Sequence, residues 1–186
     1  MDKPVGLILA GGQSQRMGKP KAWIDYHGMP QVEWLSDLLQ PYCSSIIVSL
    51  NDEPIVDYDL NIQPDLPEFA GHGPMSGILT AFEKTDHALL VVGCDYPYLD
   101  VASVELILAA RKAPYAITCF KNEQGFVEPL IACYEIEAKN QLLSFFQNGS
   151  DSLTRFIKST NAQIITCPNP KILISADSPD FVFTPD

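Results

Sequence analysis

The stretch LILAGGQSQRMGKPKAWIDYHG (residues 7–28) joins an apolar run to two glycines and a short cationic segment. Val5–Leu9 is apolar at nearly every position, which is typical of a strand buried on both faces of a parallel sheet. Glycines at the end of such a strand let backbone N–H groups approach an anion without a Cβ in the way. The stretch therefore predicts a strand followed by a phosphate-binding loop, with three cations within six positions: Arg16, Lys19 and Lys21.

Two well-known phosphate loops do not fit this stretch. A P-loop requires G-x-x-x-x-G-K-[ST], but five residues separate Gly12 from Gly18, and Pro20 stands where the magnesium-binding hydroxyl belongs. The dinucleotide fingerprint G-x-G-x-x-G does not match the spacing of Gly11, Gly12 and Gly18 either. The loop must therefore hold its anion in another way.

What remains is the string L-A-G-G-x-S-x-R-M-G-x-x-K, in which three side chains suit a phosphate. Ser14 offers a hydroxyl, and Arg16 can bind two phosphate oxygens through its planar guanidinium. Lys21 supplies a compact positive charge to the same group. This order predicts a site for the phosphates of a nucleotide rather than a solvated cationic loop.

Apolar runs and amphipathic patterns alternate along the rest of the chain. The alternation predicts an α/β fold with a mostly parallel sheet and right-handed crossovers, and the length predicts a single domain over residues 1–186. The acidic segment 51–70 is expected to be mostly a solvated loop. The predicted strands cover residues 5–9, 45–50, 87–93, 115–120, 126–135, 162–167 and 171–175, and the predicted helices cover residues 31–42, 73–84, 101–110, 136–147 and 152–158.

Asp95 is the candidate metal ligand. Ligands of parallel sheets bind at the carboxyl ends of the strands, where the glycine loop, Ser49–Asn51 and Asp95 all fall. An unpaired carboxylate at the end of a buried strand would be costly, and Mg²⁺ prefers one or two carboxylates together with phosphate oxygens and water. The competing interpretation, a cap for the helix that begins near Val101, suits Asp100 better.

Composition limits the function classes further. Hydrophobic residues make up 46% of the chain, which predicts a folded core. The net charge of −11 argues against nucleic-acid binding, although a local basic pocket can still hold a small anion. The five cysteines form no CxxC pair, so reduced, buried thiols are expected rather than zinc or disulfides. No membrane-spanning run or targeting segment is visible, and we expect a cytoplasmic protein without membrane contact.

Four further stretches carry motifs that follow the first string along the chain: PDLPEFAGHGPMSGI (64–78), VVGCDYPYL (91–99), EPLIACY (128–134) and ISADSPDF (174–181). Together with the first string they resemble the molybdenum cofactor guanylyltransferases, a family within the NTP transferases. The resemblance implies a three-layer, Rossmann-like nucleotidyltransferase fold with a mostly parallel, mixed central sheet. It also implies Mg²⁺-dependent transfer of GMP from GTP to molybdopterin with release of pyrophosphate, and transient contact with other proteins of cofactor biosynthesis.

The resemblance also implies roles for individual residues. Arg16, Lys21 and Asp95 are the expected catalytic residues, and Asp95 is expected to bind magnesium together with Asp177. Asp65 is expected to read the base, because a carboxylate can accept hydrogen bonds from the N1–H and the 2-amino group of guanine. The full set of expected nucleotide-binding residues is Leu9, Ala10, Gly11, Gly12, Ser14, Arg16, Lys21, Asp65 and Asp95.

The chain departs from the family pattern at three positions. Pro20 stands where an aspartate is common, Ser49 stands where an asparagine near the base is usual (Asn51 lies two residues on), and Asp177 replaces an asparagine. Two alternatives therefore stay open: a related nucleotidyltransferase that uses CTP or a sugar or polyol phosphate, and a nucleotide-binding homologue without catalysis. The second substrate is expected to lie beside the EPLIACY strand and the loop 120–127, without assigned contacts.

Overall fold

The computed structural model describes residues 1–11, 21–50, 59–176 and 181–184. Its centre is a seven-stranded sheet with the strand order β3-β2-β1-β4-β6-β5-β7. The strands are β1 Val5–Leu9, β2 Ile46–Ser49, β3 Ile62–Gln63, β4 Leu89–Gly93, β5 Ile117–Lys121, β6 Val127–Tyr134 and β7 Ala162–Thr166. The helices are α1 Gln31–Leu39, α2 Pro74–Lys84, α3 Val101–Ala110, α4 Ala138–Gln147 and α5 Leu153–Ser159.

The sheet is mixed but mostly parallel. Strand β6 runs antiparallel to β4 and to β5, and every other pairing between neighbouring strands is parallel. Helices cover both faces, so the chain has the three-layer α/β architecture that the alternating pattern and the family resemblance predict. None of the helices in the described ranges is long and apolar enough to cross a membrane.

A hydrophobic core lies on each face of the sheet, because successive side chains of a strand point to opposite faces. Leu7 and Val91 point to the face covered by α2, α4 and α5, whereas Ile8 and Leu90 point to the face covered by α1 and α3. Every residue of β1 and β4 is buried, because successive side chains of a strand face opposite sides and both sides here are covered by helices. This explains why these strands are continuous apolar runs in the sequence.

Two helix starts carry clear local signals. Helix α3 begins after Asp100, whose carboxylate accepts a hydrogen bond from the Ser103 backbone N–H at 2.7 Å, so the prediction of Asp100 as the cap is confirmed. Helix α2 begins with Pro74 directly after Gly73, which has a φ of 59°. A proline at the first helical position has a φ suited to the helix and lacks an N–H that would find no partner there.

The strand predicted over residues 171–175 is wrong. Pro170–Leu173 forms a short 3₁₀ helix, and the side chain of Asn169 accepts a hydrogen bond from the Lys171 backbone N–H at 3.2 Å. The apolar letters of this segment suit a strand, but the preceding proline and the asparagine cap favour a helical turn. Periodicity cannot separate the two structures over so few residues.

The expected loop over residues 51–70 contains a strand that the pattern does not predict. Strand β3 pairs in parallel with β2 through Val48–Ile62 and Ser49–Gln63. Two residues are too short for a detectable period of two, and residues 51–58 lie outside the described part of the chain. The end of the segment is not fully solvated either, because Phe69 is buried against the core on the α2 side.

Candidate active site

The strand order creates a crevice beside the end of β1. The chain passes from β1 to β2 and β3 on one side and then returns to place β4 on the other side of β1. Helix α1 connects β1 to β2 and helix α2 connects β3 to β4. The two helices pack on opposite faces of the sheet. At such a switch point the loops after two neighbouring strands diverge, and ligands of open α/β sheets bind there.

The end of β1 supplies the first predicted residues. Leu9 and Ala10 are buried, whereas Gly11 is exposed. The backbone N–H groups of Ala10 and Gly11 both donate to the carbonyl of Ser49, at 2.9 and 3.1 Å. These two amides are therefore already hydrogen-bonded to the neighbouring strand. Four of the predicted residues, Gly12, Ser14, Arg16 and Asp177, lie outside the described residues, as do Pro20 and Asn51.

Lys21 and Asp95 both act electrostatically on Cys94, the residue that follows β4. Lys21 begins a short 3₁₀ helix over Lys21–Trp23, and Asp95 is the second residue after β4. Burial raises the pKa of the Cys94 thiol far above its ordinary value, the Asp95 carboxylate raises it further, and the Lys21 ammonium opposes both. Both charges reach the same thiol, so the lysine that the sequence predicts to bind phosphate and the carboxylate that it predicts to bind the metal belong to one region.

Two hydrogen bonds and a close glycine hold Asp95 in place. Its Oδ2 accepts a hydrogen bond from the Ser175 hydroxyl at 2.9 Å, and its backbone carbonyl accepts one from the Ala176 N–H at 2.7 Å. On the other side, a Cβ on Gly93 would lie 2.5 Å from Oδ1. Ser175 and Gly93 thus fix how the carboxylate is oriented, and the pattern-based prediction included neither residue.

We expect Gly93→Ala to weaken metal use more than it weakens the fold. The new methyl group would also lie 3.2 Å from the Tyr96 ring, so the Asp95 carboxylate must turn away and stability should fall by about 1–3 kcal/mol, as in other overpacked sites. Magnesium titrations of activity, taken well below the melting temperature, should show a raised half-saturation concentration. An unchanged magnesium dependence would contradict this role for Gly93.

Asp65 marks the other end of the crevice. The Ser49 hydroxyl donates to its Oδ1 at 3.5 Å, and the following Leu66 N–H donates to the Thr80 hydroxyl of α2 at 3.0 Å. Gly77 of α2 explains how the helix comes so close, because a Cβ there would lie 2.5 Å from the Ser49 Oγ. Ser49, one of the departures from the family pattern, is therefore a direct neighbour of the predicted base-reading carboxylate.

The two carboxylates sit at separate ends of the crevice. Asp65 follows β3 and reaches Ser49 at the end of β2, whereas Asp95 follows β4 on the other side of β1. The end of β1 lies between them. This separation suits a nucleotide that is held at its base by one carboxylate and at its phosphates near the other.

The donor chemistry near Asp95 suits magnesium and not zinc. Within the described ranges, no three His, Cys, Asp or Glu side chains group closely enough to hold a metal by themselves. Mg²⁺ does not need such a group, because it takes one or two carboxylates and completes its shell with phosphate oxygens and water. The cysteines are free and buried, and burial raises the pKa of Cys43 and of Cys119 to about 12, which disfavours the thiolates that zinc would need.

Known proteins share both the sequence pattern and the fold. The sequence profile described as "MobA-like NTP transferase domain" matches residues 6–164. A molybdenum cofactor biosynthesis bifunctional protein from Synechocystis is 34% identical over 94% of this chain. A probable molybdenum cofactor guanylyltransferase from Nostoc is 28% identical over 97% of this chain and 89% of its own length. The crystal structure of molybdopterin-guanine dinucleotide biosynthesis protein A from Archaeoglobus fulgidus superposes with a TM-score of 0.71 at 21% identity, covering 87% of this chain and 83% of that one.

These similarities do not all support the same conclusion about the chain. The chain spans about half the length of the Synechocystis protein, so the combined activities of that bifunctional protein are not carried over. The archaeal structure supports the fold alone at this identity. The profile match, in contrast, covers most of the chain and both ends of the crevice, and it confirms the resemblance drawn from the motifs. This chain is therefore a nucleotidyltransferase that belongs to the family of MobA-like NTP transferase domains.

Proposed function

We propose that the protein transfers GMP from GTP to molybdopterin and releases pyrophosphate in a reaction that depends on Mg²⁺. The observation that carries the proposal is the placement of Asp65 and Asp95 on either side of the end of β1 at the switch point. The Lys21 charge is close enough to act on Cys94, the neighbour of Asp95. The names of the relatives from Synechocystis and Nostoc support this choice of substrates.

The proposed reaction is an in-line displacement at the α-phosphorus of GTP. An oxygen of the terminal phosphate of molybdopterin forms the new P–O bond, the bond between the α-phosphorus and its bridging oxygen breaks, and the electron pair leaves with pyrophosphate. A phosphate monoester is largely ionised at neutral pH because its second pKa is about 6. The attacking group therefore needs no general base, and catalysis depends on positioning and charge.

Each proposed residue has a distinct task in this displacement. Lys21 binds phosphate oxygens and offsets the charge that develops on them, and Arg16 does the same from the preceding loop. Asp95 holds Mg²⁺, with Asp177 as a second ligand, and Ser175 orients the Asp95 carboxylate. When bound there, the metal supplies charge stabilisation and alignment of the phosphates.

Base selection is assigned to Asp65. Guanine presents two adjacent donors, the N1–H and the 2-amino group, which match the two oxygens of a carboxylate. Adenine and cytosine lack this pair of donors, so they would leave the carboxylate only partly hydrogen-bonded. The Ser49 hydroxyl, 3.5 Å from Asp65 Oδ1, supports the orientation of the carboxylate toward the crevice.

Asp65→Asn should reduce the preference for guanine. The amide keeps one acceptor but presents an N–H₂ group to a donor of the base. The loss of one hydrogen bond to a charged group costs about 1.5–3 kcal/mol, or roughly 10- to 160-fold in Kd for GTP. Thermal shifts with GTP, CTP, ATP and UTP in the presence of Mg²⁺ test this. Glu68→Gln, an exposed acid of the same segment, is the matched control and should keep the wild-type ranking.

The same nucleotide panel separates the competing substrates. Selective stabilisation of the wild-type protein by CTP would contradict the assignment of guanine and favour a cytidylyltransferase. Selective stabilisation by GTP, followed by pyrophosphate release with a sugar or polyol phosphate instead of molybdopterin, would keep the base and replace the acceptor.

A further inference from the structure

Four aromatic rings join the end of the described chain to the loops that carry Lys21 and Asp95. We call this group the aromatic clasp, and it consists of Tyr26, Tyr98, Phe181 and Phe183. Phe183 is its centre: its ring centroid lies 4.9 Å from that of Tyr98, at an interplanar angle of 28°, and 5.5 Å from that of Tyr26. Phe181 lies 6.0 Å from each of the same two rings. Both phenylalanines thus contact both tyrosines.

Polar contacts fix the same segment in place. The Thr184 backbone N–H donates to the Tyr98 hydroxyl at 3.0 Å, and Lys171 Nζ donates to the Thr184 carbonyl at 3.3 Å. Lys171 Nζ also lies 4.6 Å from the centroid of the Tyr98 ring, within the range of a cation–π contact. The segment is therefore held by hydrogen bonds and a charge as well as by apolar burial.

The sequence of the segment explains why it docks by one face. Phe181 and Phe183 contact Tyr26 and Tyr98. Val182 between them is 75% exposed. Alternate side chains of an extended segment point to opposite sides. The pattern F-V-F thus presents two rings to the protein and one small apolar side chain to the solvent.

The clasp connects the two catalytic loops. Tyr26 lies five residues after Lys21 and Tyr98 lies three residues after Asp95. The charge of Asp95 is one of the causes, after burial, that raise the pKa of Tyr26, so the clasp reaches close to the proposed metal site. The loops touch directly as well, through the His27 ring and the Pro97 carbonyl at 2.9 Å.

We propose that the aromatic clasp positions Lys21 against Asp95, with Phe183 as the positioning residue that links their loops. The inference rests on the proposed nucleotidyl transfer and assigns a catalytic consequence to the segment 181–184. In-line displacement tolerates little error in position, since a misplacement of about 1 Å can lower a rate about 100-fold. A ring that stacks on one loop and packs against the other is well placed to prevent such an error.

Phe183→Ala tests the clasp, and Val182→Ala is the matched control, one residue away and exposed. Hydrogen exchange should be followed at the amides of Ile24 and Leu99, which are bonded within the two loops at 3.2 and 3.3 Å. We expect Phe183→Ala to speed exchange at both amides roughly tenfold, since its three ring contacts with Tyr26, His27 and Tyr98 are lost. We expect kcat to fall roughly 10- to 100-fold while KM for GTP changes little. Tyr98→Phe removes both hydrogen bonds to Thr184 and keeps the ring. Its exchange rates and its kcat should fall between those of the wild type and of Phe183→Ala.

Two results would overturn the proposal. The first is an equal rate of hydrogen exchange in Phe183→Ala and Val182→Ala at the amides of Ile24 and Leu99, which would mean that the clasp does not hold the loops. Faster exchange with an unchanged kcat would mean that the clasp holds the loops without positioning the reacting groups. If the wild-type protein transfers no nucleotide at all, the proposed function fails, and the exchange comparison still decides whether the clasp links the loops.

Discussion

Asp95→Asn is expected to abolish magnesium-dependent release of pyrophosphate while leaving the fold intact. The substitution keeps the shape of the side chain, and an amide oxygen can still accept the hydrogen bond that the Ser175 hydroxyl donates to Oδ2 at 2.9 Å. What it removes is the negative charge and one of the oxygens that a hard divalent cation prefers. Loss of a preorganised electrostatic element of this kind typically costs about 100- to 1000-fold in kcat.

The control for this variant comes from the other end of the same strand. Asp86 is an exposed carboxylate before β4, whereas Asp95 follows it. Asp86→Asn removes the same charge from the molecule and should keep the wild-type rate and the wild-type dependence on magnesium. Both variants should melt close to the wild-type temperature. Full activity of Asp95→Asn at saturating magnesium would contradict the assignment of Asp95 as the metal ligand.

Lys21→Ala is the second large effect, and it should act on the rate more than on the fold. Lys21 is partly buried and its charge reaches the Cys94–Asp95 pair at the end of β4. Removing a charge that is directed at the reacting phosphates should raise the barrier by about 3 kcal/mol, or more than 100-fold in kcat/KM. Lys21→Arg should recover only part of the rate, because a planar fork does not replace a compact ammonium.

Lys84→Ala provides the comparison for the loss of one positive charge. Lys84 is exposed in the last turn of α2, at the end of the helix remote from Gly77 and Ser49. Initial rates at several GTP concentrations, with molybdopterin saturating, separate kcat from KM for all three variants. A Lys21→Ala rate within threefold of the Lys84→Ala rate would show that Lys21 does not contact the reacting phosphates.

The long elements of the fold could be predicted because local pattern and burial agree in them. Strand β4 is buried at all five positions, so its apolar run is continuous. Helix α2 places its large apolar side chains at helical spacing and all in one core, so its period is clear: Met75, Ile78, Leu79 and Phe82. Strand β3 has two residues and exists because β2 offers a parallel edge. Such a strand is a property of the sheet and leaves no pattern of its own in the sequence.

In the site too, residues that belong to a local motif could be predicted, whereas residues that act through contacts between distant parts of the chain could not. Lys21 and Asp95 could be proposed from the sequence because Lys21 belongs to the loop after one predicted strand, Asp95 follows another, and strand ends converge in a parallel sheet. Ser175 could not be predicted, because 80 positions separate it from Asp95 in the sequence. It also follows a 3₁₀ helix in a segment whose apolar pattern wrongly predicts a strand. The clasp was equally hidden, because Phe183 meets Tyr26 and Tyr98 only after the chain has folded.

One measurement tests the proposed transfer of GMP to molybdopterin most directly: pyrophosphate released per molybdopterin consumed, with each of the four nucleoside triphosphates and Mg²⁺. We expect GTP to give one pyrophosphate for each molybdopterin, removal of the metal by a chelator to stop the reaction, and Asp95→Asn to match the chelated sample. Release that is faster with CTP than with GTP, or that proceeds unchanged without a divalent metal, would contradict the proposed function.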